Sequence, residues 1–225
     1  MPFTGQMMKL AGLILAGGRS SRMGGMPKAL IELAGATLLD RVATTLAPHV
    51  GDLAVNLPPD LGLPDMKLPV VRDASATFEG PLAGVVAGLH RASALSNRPT
   101  HLLTAPVDLP FLPVDLAARL IAGTDDQDAV VFAEGPSGRA PLCALWPLSV
   151  APRLLAFLGG EERRVGAFLA SEQARSVVFA STIVGKKAVD PFFNINTPAD
   201  LAEATELIGV GGPWSSRRAE SGPAQ

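Results

Sequence analysis

Short apolar runs of strand length alternate with helix-like segments along nearly the whole chain. This alternation restricts the fold more than any single motif does. The first run, residues 10–15 (LAGLIL), ends just before Gly17-Gly18, which marks a buried strand. Similar runs stand at 52–57, 68–73, 100–108, 128–134, 140–146 and 176–181. Between them, residues 37–48, 80–95, 113–123, 148–158, 162–171 and 197–208 have a helical character. Thr37 is placed to cap the first helix with Asp40 in its first turn, and Thr197 followed by Pro198 opens the last. Apolar strands separated by helices imply a mostly parallel sheet covered on both faces, a three-layer α/β/α arrangement. In such sheets ligands bind beyond the carboxyl ends of the strands. That rule marks three loops, at 17–28, 72–84 and 106–111, where charge and glycine are also concentrated.

A length of 225 residues with 48% hydrophobic content suits one such domain, expected over 8–208 with flexible ends at 1–7 and 209–225. The net charge of −2 argues against a nucleic-acid partner. One cysteine, Cys143, excludes an internal disulfide and a cysteine metal cluster, and its apolar strand makes it a core residue. No apolar run approaches the ~20 residues that span a bilayer. The first ten residues have no secretory core, so a cytoplasmic protein without a membrane partner is expected. His49, His90 and His101 lie far apart with no ligand spacing.

The loop LAGGRSSRMGGMPKAL, residues 15–30, carries the strongest chemical signal. It has neither the spacing of a P-loop nor that of a dinucleotide-binding G-x-G-x-x-G. Gly17 and Gly18 remove side chains where the strand ends, so backbone amides can face an anion. Arg19, Arg22 and Lys28 add three cations, which fits a triphosphate cradle, the alternative being a flexible surface loop with solvated charges. Asp108 ends an apolar strand between Pro106 and Pro110. Magnesium takes one or two carboxylates together with substrate phosphates, and an aspartate facing a phosphate loop suits it; capping of the following helix is the other role open to Asp108. Asp73 also ends a strand, where ligand contact and turn capping are both open. Gly80 and Gly84, flanking Pro81, either let a flat base lie on the backbone or mark a tight helix start. Asn194 and Asn196 alternate, so on a strand both point to one face, toward a substrate or a metal's water shell. Capping of the last helix is the other role open to Asn196. Arg163 and Arg164 stand near a helix start against the dipole, which fits an anionic ligand or a solvated face.

With these residues laid out, LAGGRSSRMGG resembles the signature of nucleotidyltransferases of the glycosyltransferase-A-like type. Together with EGPLAG, PVDLPFLP, ERRV and NINTPADL, the chain resembles the molybdenum cofactor guanylyltransferase family from about Gly12 to Leu207. The resemblance implies a Rossmann-like nucleotidyltransferase fold that transfers GMP from magnesium-GTP to molybdenum-loaded molybdopterin and releases pyrophosphate. It implies nucleotide contacts from Leu15, Ala16, Gly17, Asn56 and Asp73, phosphate contact from Lys28 and magnesium at Asp108. Asn194, Asn196, Arg163 and Arg164 would lie toward the pterin or the phosphates. Transient contact with cofactor-insertion proteins or molybdoenzymes is implied as well. Pro27 departs from the pattern, because the family carries an acidic residue before the lysine and related CTP-using enzymes often carry proline. A cytidylyltransferase of the same fold is therefore the first alternative. A non-catalytic nucleotide-binding or cofactor-delivery module and a sugar-phosphate nucleotidyltransferase are the others.

Overall fold

The structure is a computed structural model and describes residues 8–17, 26–58, 61–63, 67–73, 80–211 and 214. The chain opens with β1 (Leu10–Leu15), the hairpin β2 (Glu32–Leu33) and β3 (Ala36–Thr37), helix α1 (Leu38–Leu46), β4 (Asp52–Leu57) and β5 (Val70–Arg72). Helix α2 (Pro81–Ser93), β6 (His101–Pro106) and α3 (Leu116–Ala122) follow. Next come β7 (Val131–Gly135), β8 (Gly138–Pro147), α4 (Ala151–Leu158) and α5 (Val165–Ser171). The last elements are β9 (Arg175–Val178), the ribbon β10 (Thr182–Val184) and β11 (Lys187–Val189), and α6 (Pro198–Gly209). Among the described residues, no helix is long and apolar enough to cross a membrane.

Seven strands form the central sheet in the order β5-β4-β1-β6-β8-β7-β9. The ladders β5-β4, β4-β1, β1-β6 and β7-β9 are parallel, and β8 runs antiparallel to both of its neighbours. The sheet is therefore mostly parallel, as the apolar runs imply, with one reversal that they do not. The reversal comes from the tight turn between Gly135 and Gly138, which makes a hairpin of β7 and β8.

Successive residues of β1 point to opposite faces. Leu10 and Ile14 join a core with α1, α3 and α6, while Ala11, Leu13 and Leu15 join a second core with α2, α4 and α5. All six residues of β1 are buried, which is what a strand covered on both sides requires. The Thr37 side chain accepts a hydrogen bond from Asp40 N and starts α1, and Thr197 with Asp200 forms a complete capping box on α6. The packed part of the chain extends past residue 208, because Trp214 is buried against Phe111 with ring centroids 4.8 Å apart. Its carbonyl accepts from Arg41 Nη1, and Arg41 also donates to Leu33 O.

The order around β1 fixes the place of the site. The chain steps outward from β1 to β4 and β5 on one side and then returns to β6 on the other. Strands β4 and β6 therefore flank β1 at the point where the strand order reverses, and a crevice lies there beyond the carboxyl ends.

Candidate functional site

Backbone bonds tie the strand ends at this crevice together. Ala16 N donates to Asn56 O, and Val107 N donates to Leu15 O, both at 3.0 Å. A cavity of about 400 Å³ opens there, lined by Leu15 at the end of β1 and Gly17 after it, Asn56 and Pro58 of β4 and its exit, and Asp73 after β5. Gly80, Pro81, Pro106, Val107, Asp108, Lys28 and Leu142 complete its wall.

Three distant segments meet at Lys28. Its Nζ donates to Asp108 Oδ2 and to Asn196 Oδ1, each at 2.6 Å. The two ionic side chains are only 12% and 14% exposed, so the contact is largely shielded from water. Asp108 Oδ1 is buried and has no hydrogen-bond partner among the described residues. A buried carboxylate oxygen left unpaired is costly, and a cation is the partner that satisfies it. No group of three or more His, Cys, Asp or Glu side chains among the described residues is arranged to hold a metal. A single carboxylate facing a cavity suits an ion that brings phosphate oxygens with it.

The capping of α6 aims Asn196. Asp200 Oδ2 accepts from both Asn196 N and Thr197 N, at 2.8 Å each. These contacts, the Asn196 N–H foremost, hold the Asp200 carboxyl below the usual carboxylate range. Ile195 is fully buried and its N–H donates to Asp108 O at 3.0 Å. The segment before α6 is thus locked to the β6 loop, and Asn196 is carried to Lys28.

This arrangement differs from the strand on which Asn194 and Asn196 would share a face. Residues 193–196 form no strand, because their amides bond to Asp108 O, Asp190 O and Asp200 rather than to a ladder partner. The two amides separate: Asn196 meets Lys28, and Asn194 lines a second cavity.

The second cavity, of about 230 Å³, lies beside the first and shares Pro106 and Leu142 with it. Its polar lining comes from Ser137, Arg139, Asp190 and Asn194. Asp190 pins one wall to the other, accepting from Ser137 N at 3.0 Å and Phe192 N at 2.8 Å. Cys143 lines this cavity from a fully buried position. Burial pushes its thiol well up, and the Asp108 carboxylate adds to the shift. Sequence reasoning missed Arg139, Asp190 and Leu142, whose roles depend on the hairpin. The stretch GPSGR, with its paired glycines, was the signal for that turn.

Other candidate residues fall as follows. Asn56 is 4% exposed; its Nδ2 donates to Asp73 Oδ1 at 2.8 Å and to Val71 O at 3.2 Å, so Asn56 and Asp73 act as one unit in the nucleotide-sized cavity. Gly80 precedes α2 with φ +95°, a conformation that favours glycine, and a Cβ there would meet open space. Gly84 behaves differently. A Cβ there would stand 2.3 Å from Asn56 Oδ1 and 3.1 Å from Leu15 Cδ2. It serves close packing of α2 on the sheet rather than a bare surface for a ring. Gly84→Ala is expected to displace Asn56, lowering stability by about 1–3 kcal/mol. The check is a lower denaturation midpoint together with weaker nucleotide binding in a titration.

Neither Arg163 nor Arg164 lines either cavity. Arg164 is 82% exposed and pairs with Glu162 at 2.5 Å, which draws the Glu162 carboxyl down to about 2. Ala16, at 5% exposed, contributes its backbone to the β1–β4 junction. Gly18, Arg19 and Arg22 lie outside the described residues.

A lysine–aspartate pair at the switch point of an α/β/α sheet, beside a cavity of nucleotide size, is a setting that can hold the phosphates of a nucleotide. The chain belongs to the family described as MobA-like NTP transferase domain, which matches residues 12–176. It is 42% identical over 199 residues to a molybdenum cofactor guanylyltransferase of Sinorhizobium fredii, covering 87% of this chain and 90% of that one. A solved structure of molybdopterin-guanine dinucleotide biosynthesis protein A from Archaeoglobus fulgidus matches with a TM-score of 0.61 at 22% identity, covering 88% and 98% of the two chains. The 2-C-methyl-D-erythritol 4-phosphate cytidylyltransferase of Thermus thermophilus matches with a TM-score of 0.62 at 20% identity, covering 89% and 98%. At these identities the two structures share the fold alone.

Proposed function

We propose that the chain is a molybdenum cofactor guanylyltransferase, which joins GMP from GTP to molybdenum-loaded molybdopterin and releases pyrophosphate. The observation that carries this reading is Asp108, whose Oδ2 is held by Lys28 while its buried Oδ1 is left for a cation. The 42% identity to a relative of that name supports it.

The larger cavity takes the nucleotide and the smaller one the pterin, with Arg139 and Asn194 as its polar contacts. Asp108 would hold magnesium through the free oxygen. Bound there, magnesium supplies charge neutralisation for the phosphates. Lys28 opposes the charge that develops on pyrophosphate, and Arg19 and Arg22 are assigned to the same task on the sequence pattern. A terminal phosphate oxygen of the acceptor forms a bond to the α-phosphorus. The bond from that phosphorus to the oxygen bridging to the β-phosphate breaks, and pyrophosphate departs with the electron pair. The acceptor phosphate is already an anion, so no general base is required. Catalysis rests on alignment and electrostatics. A cytoplasmic site of action and a transient hand-over to a cofactor-insertion protein or molybdoenzyme go with this reading.

Pro27 favours a second reading in which the base is cytosine. The test is incubation with molybdenum-loaded molybdopterin, magnesium and each of the four nucleoside triphosphates, followed by mass analysis. A guanine dinucleotide from GTP is the expected product. A cytosine dinucleotide instead would move the assignment to the second reading, and no dinucleotide with any of the four would end both.

A further inference from the structure

Strand β8 carries an irregularity at the junction of the two cavities. Along the β7–β8 ladder, Phe132 pairs with Ala144 and the next residue, Ala133, pairs with Ala140. Pro141, Leu142 and Cys143 therefore bulge out between two consecutive residues of β7. On its other side β8 pairs with β6 only as far as Thr104↔Ala144, leaving Ala105 and Pro106 outside that ladder. A bulge beside a site re-aims a side chain. Here it brings Leu142 to the boundary, where Leu142 and Pro106 line both cavities.

Buried polar groups hold this bulge. Thr104 is fully buried, and its Oγ1 donates to Leu142 O at 2.7 Å. The same oxygen accepts from Nε1 of Trp146, also fully buried, at 2.8 Å. A hydroxyl and an indole N–H inside a core require partners, and this relay ends on the carbonyl of the boundary residue.

We propose that Leu142 determines whether the activated nucleotide is transferred or hydrolysed, with Thr104 as its positioning residue. This inference rests on the assignment of nucleotide and acceptor to the two cavities. Both side chains on the shared boundary are apolar. A water stays in a protein site only where two to four polar groups hold it. Among the described residues, the two side chains that both cavities share, Pro106 and Leu142, offer water no hydrogen-bond partner. The acceptor phosphate is tethered by the rest of its molecule in the second cavity, so it can cross. In the disfavoured reaction, water oxygen bonds to the α-phosphorus, the bond to the β-bridging oxygen breaks, and pyrophosphate leaves with the electron pair. The proton goes to solvent, and GMP is the product.

The experiment follows GMP and dinucleotide together in one incubation with GTP, magnesium and molybdenum-loaded molybdopterin. Leu142→Ser should raise the GMP-to-dinucleotide ratio about ten-fold by admitting and orienting water, while Leu142→Met, which keeps the volume, stays near the wild-type ratio. Thr104→Val removes the donor at constant shape and should raise the ratio severalfold, whereas Thr104→Ser retains the bond and restores it. The product ratio, not the KM for GTP, is the readout, since Leu142 also lines the nucleotide cavity. An unchanged ratio in both Leu142→Ser and Thr104→Val, with wild-type protein forming dinucleotide, overturns the inference. Absence of dinucleotide from wild-type protein instead strikes the proposed function itself.

Discussion

Asp108→Ala is expected to lower nucleotidyl transfer by about 10²–10³, measured as pyrophosphate release at saturating GTP and acceptor. The side chain performs two tasks through two atoms. Oδ2 holds Lys28 at 2.6 Å, and Oδ1 is the buried oxygen without a partner. Alanine removes both. Asp108→Asn separates them, because an amide retains one acceptor oxygen but not the charge that binds a divalent ion. With the amide oxygen left to Lys28, the asparagine variant should remain folded and still lose most of the rate. Its residual activity should need at least about ten-fold more magnesium, since a charged ligand has become neutral. A magnesium titration of both variants tests this. Transfer by Asp108→Ala at close to the wild-type rate would sink the metal assignment whatever the structure of the pair.

Much of the architecture was readable because local chemistry and tertiary need agree. Thr37 and Thr197 announced α1 and α6, and both side chains do accept the bond from the third residue of their helix. The run 52–57 became β4 at the same limits, its last four residues, Ala54 to Leu57, being buried between the two helical layers. Direction was harder. Nothing in the apolar character of 140–146 tells a parallel from an antiparallel neighbour; the turn between Gly135 and Gly138 decides it. The hairpin β2–β3 was also overlooked, although it turns through Ala34 and Gly35, both with positive φ.

At the site, residue types were legible and partnerships were not. Lys28 and Asp108 stand out as a cation near a glycine loop and an acid at a strand end. That Lys28 also meets Asn196, 168 positions away, depends on a capping box and on the bond from Ile195 to Asp108. Neither contact exists until the sheet is assembled. The second glycine of EGPLAG shows the same limit. Gly84 reads in sequence as an open surface for a ring or as part of a tight helix start, yet in the fold it faces Asn56, a side chain 28 positions earlier. Leu142 is an unremarked leucine in an apolar run until a bulge turns it toward two cavities.

Lys28→Ala should depress transfer by about 10², with a rise in the KM for GTP, because the lysine is assigned to both bound and departing phosphates. It should also destabilise the free protein by about 1–3 kcal/mol, because the Asp108 carboxylate, only 14% exposed, would be left without its cation. The second effect distinguishes this site from a surface ion pair, where the loss would be near zero. It also makes a further demand. In the double variant Lys28→Ala/Asp108→Ala the uncompensated carboxylate is gone, so the stability loss should fall short of the sum of the single losses by about 0.5–3 kcal/mol. Activity should be coupled in the same sense, the double variant being little slower than Asp108→Ala alone. Lys28→Arg is not a rescue, because a planar fork cannot place one compact charge between a carboxylate and the Asn196 amide oxygen. Urea unfolding of the four proteins, combined with steady-state kinetics, gives both cycles. Strict additivity in both would mean that Lys28 and Asp108 act independently, and the bridge joining the β6 loop to the α6 cap would then have no energetic content.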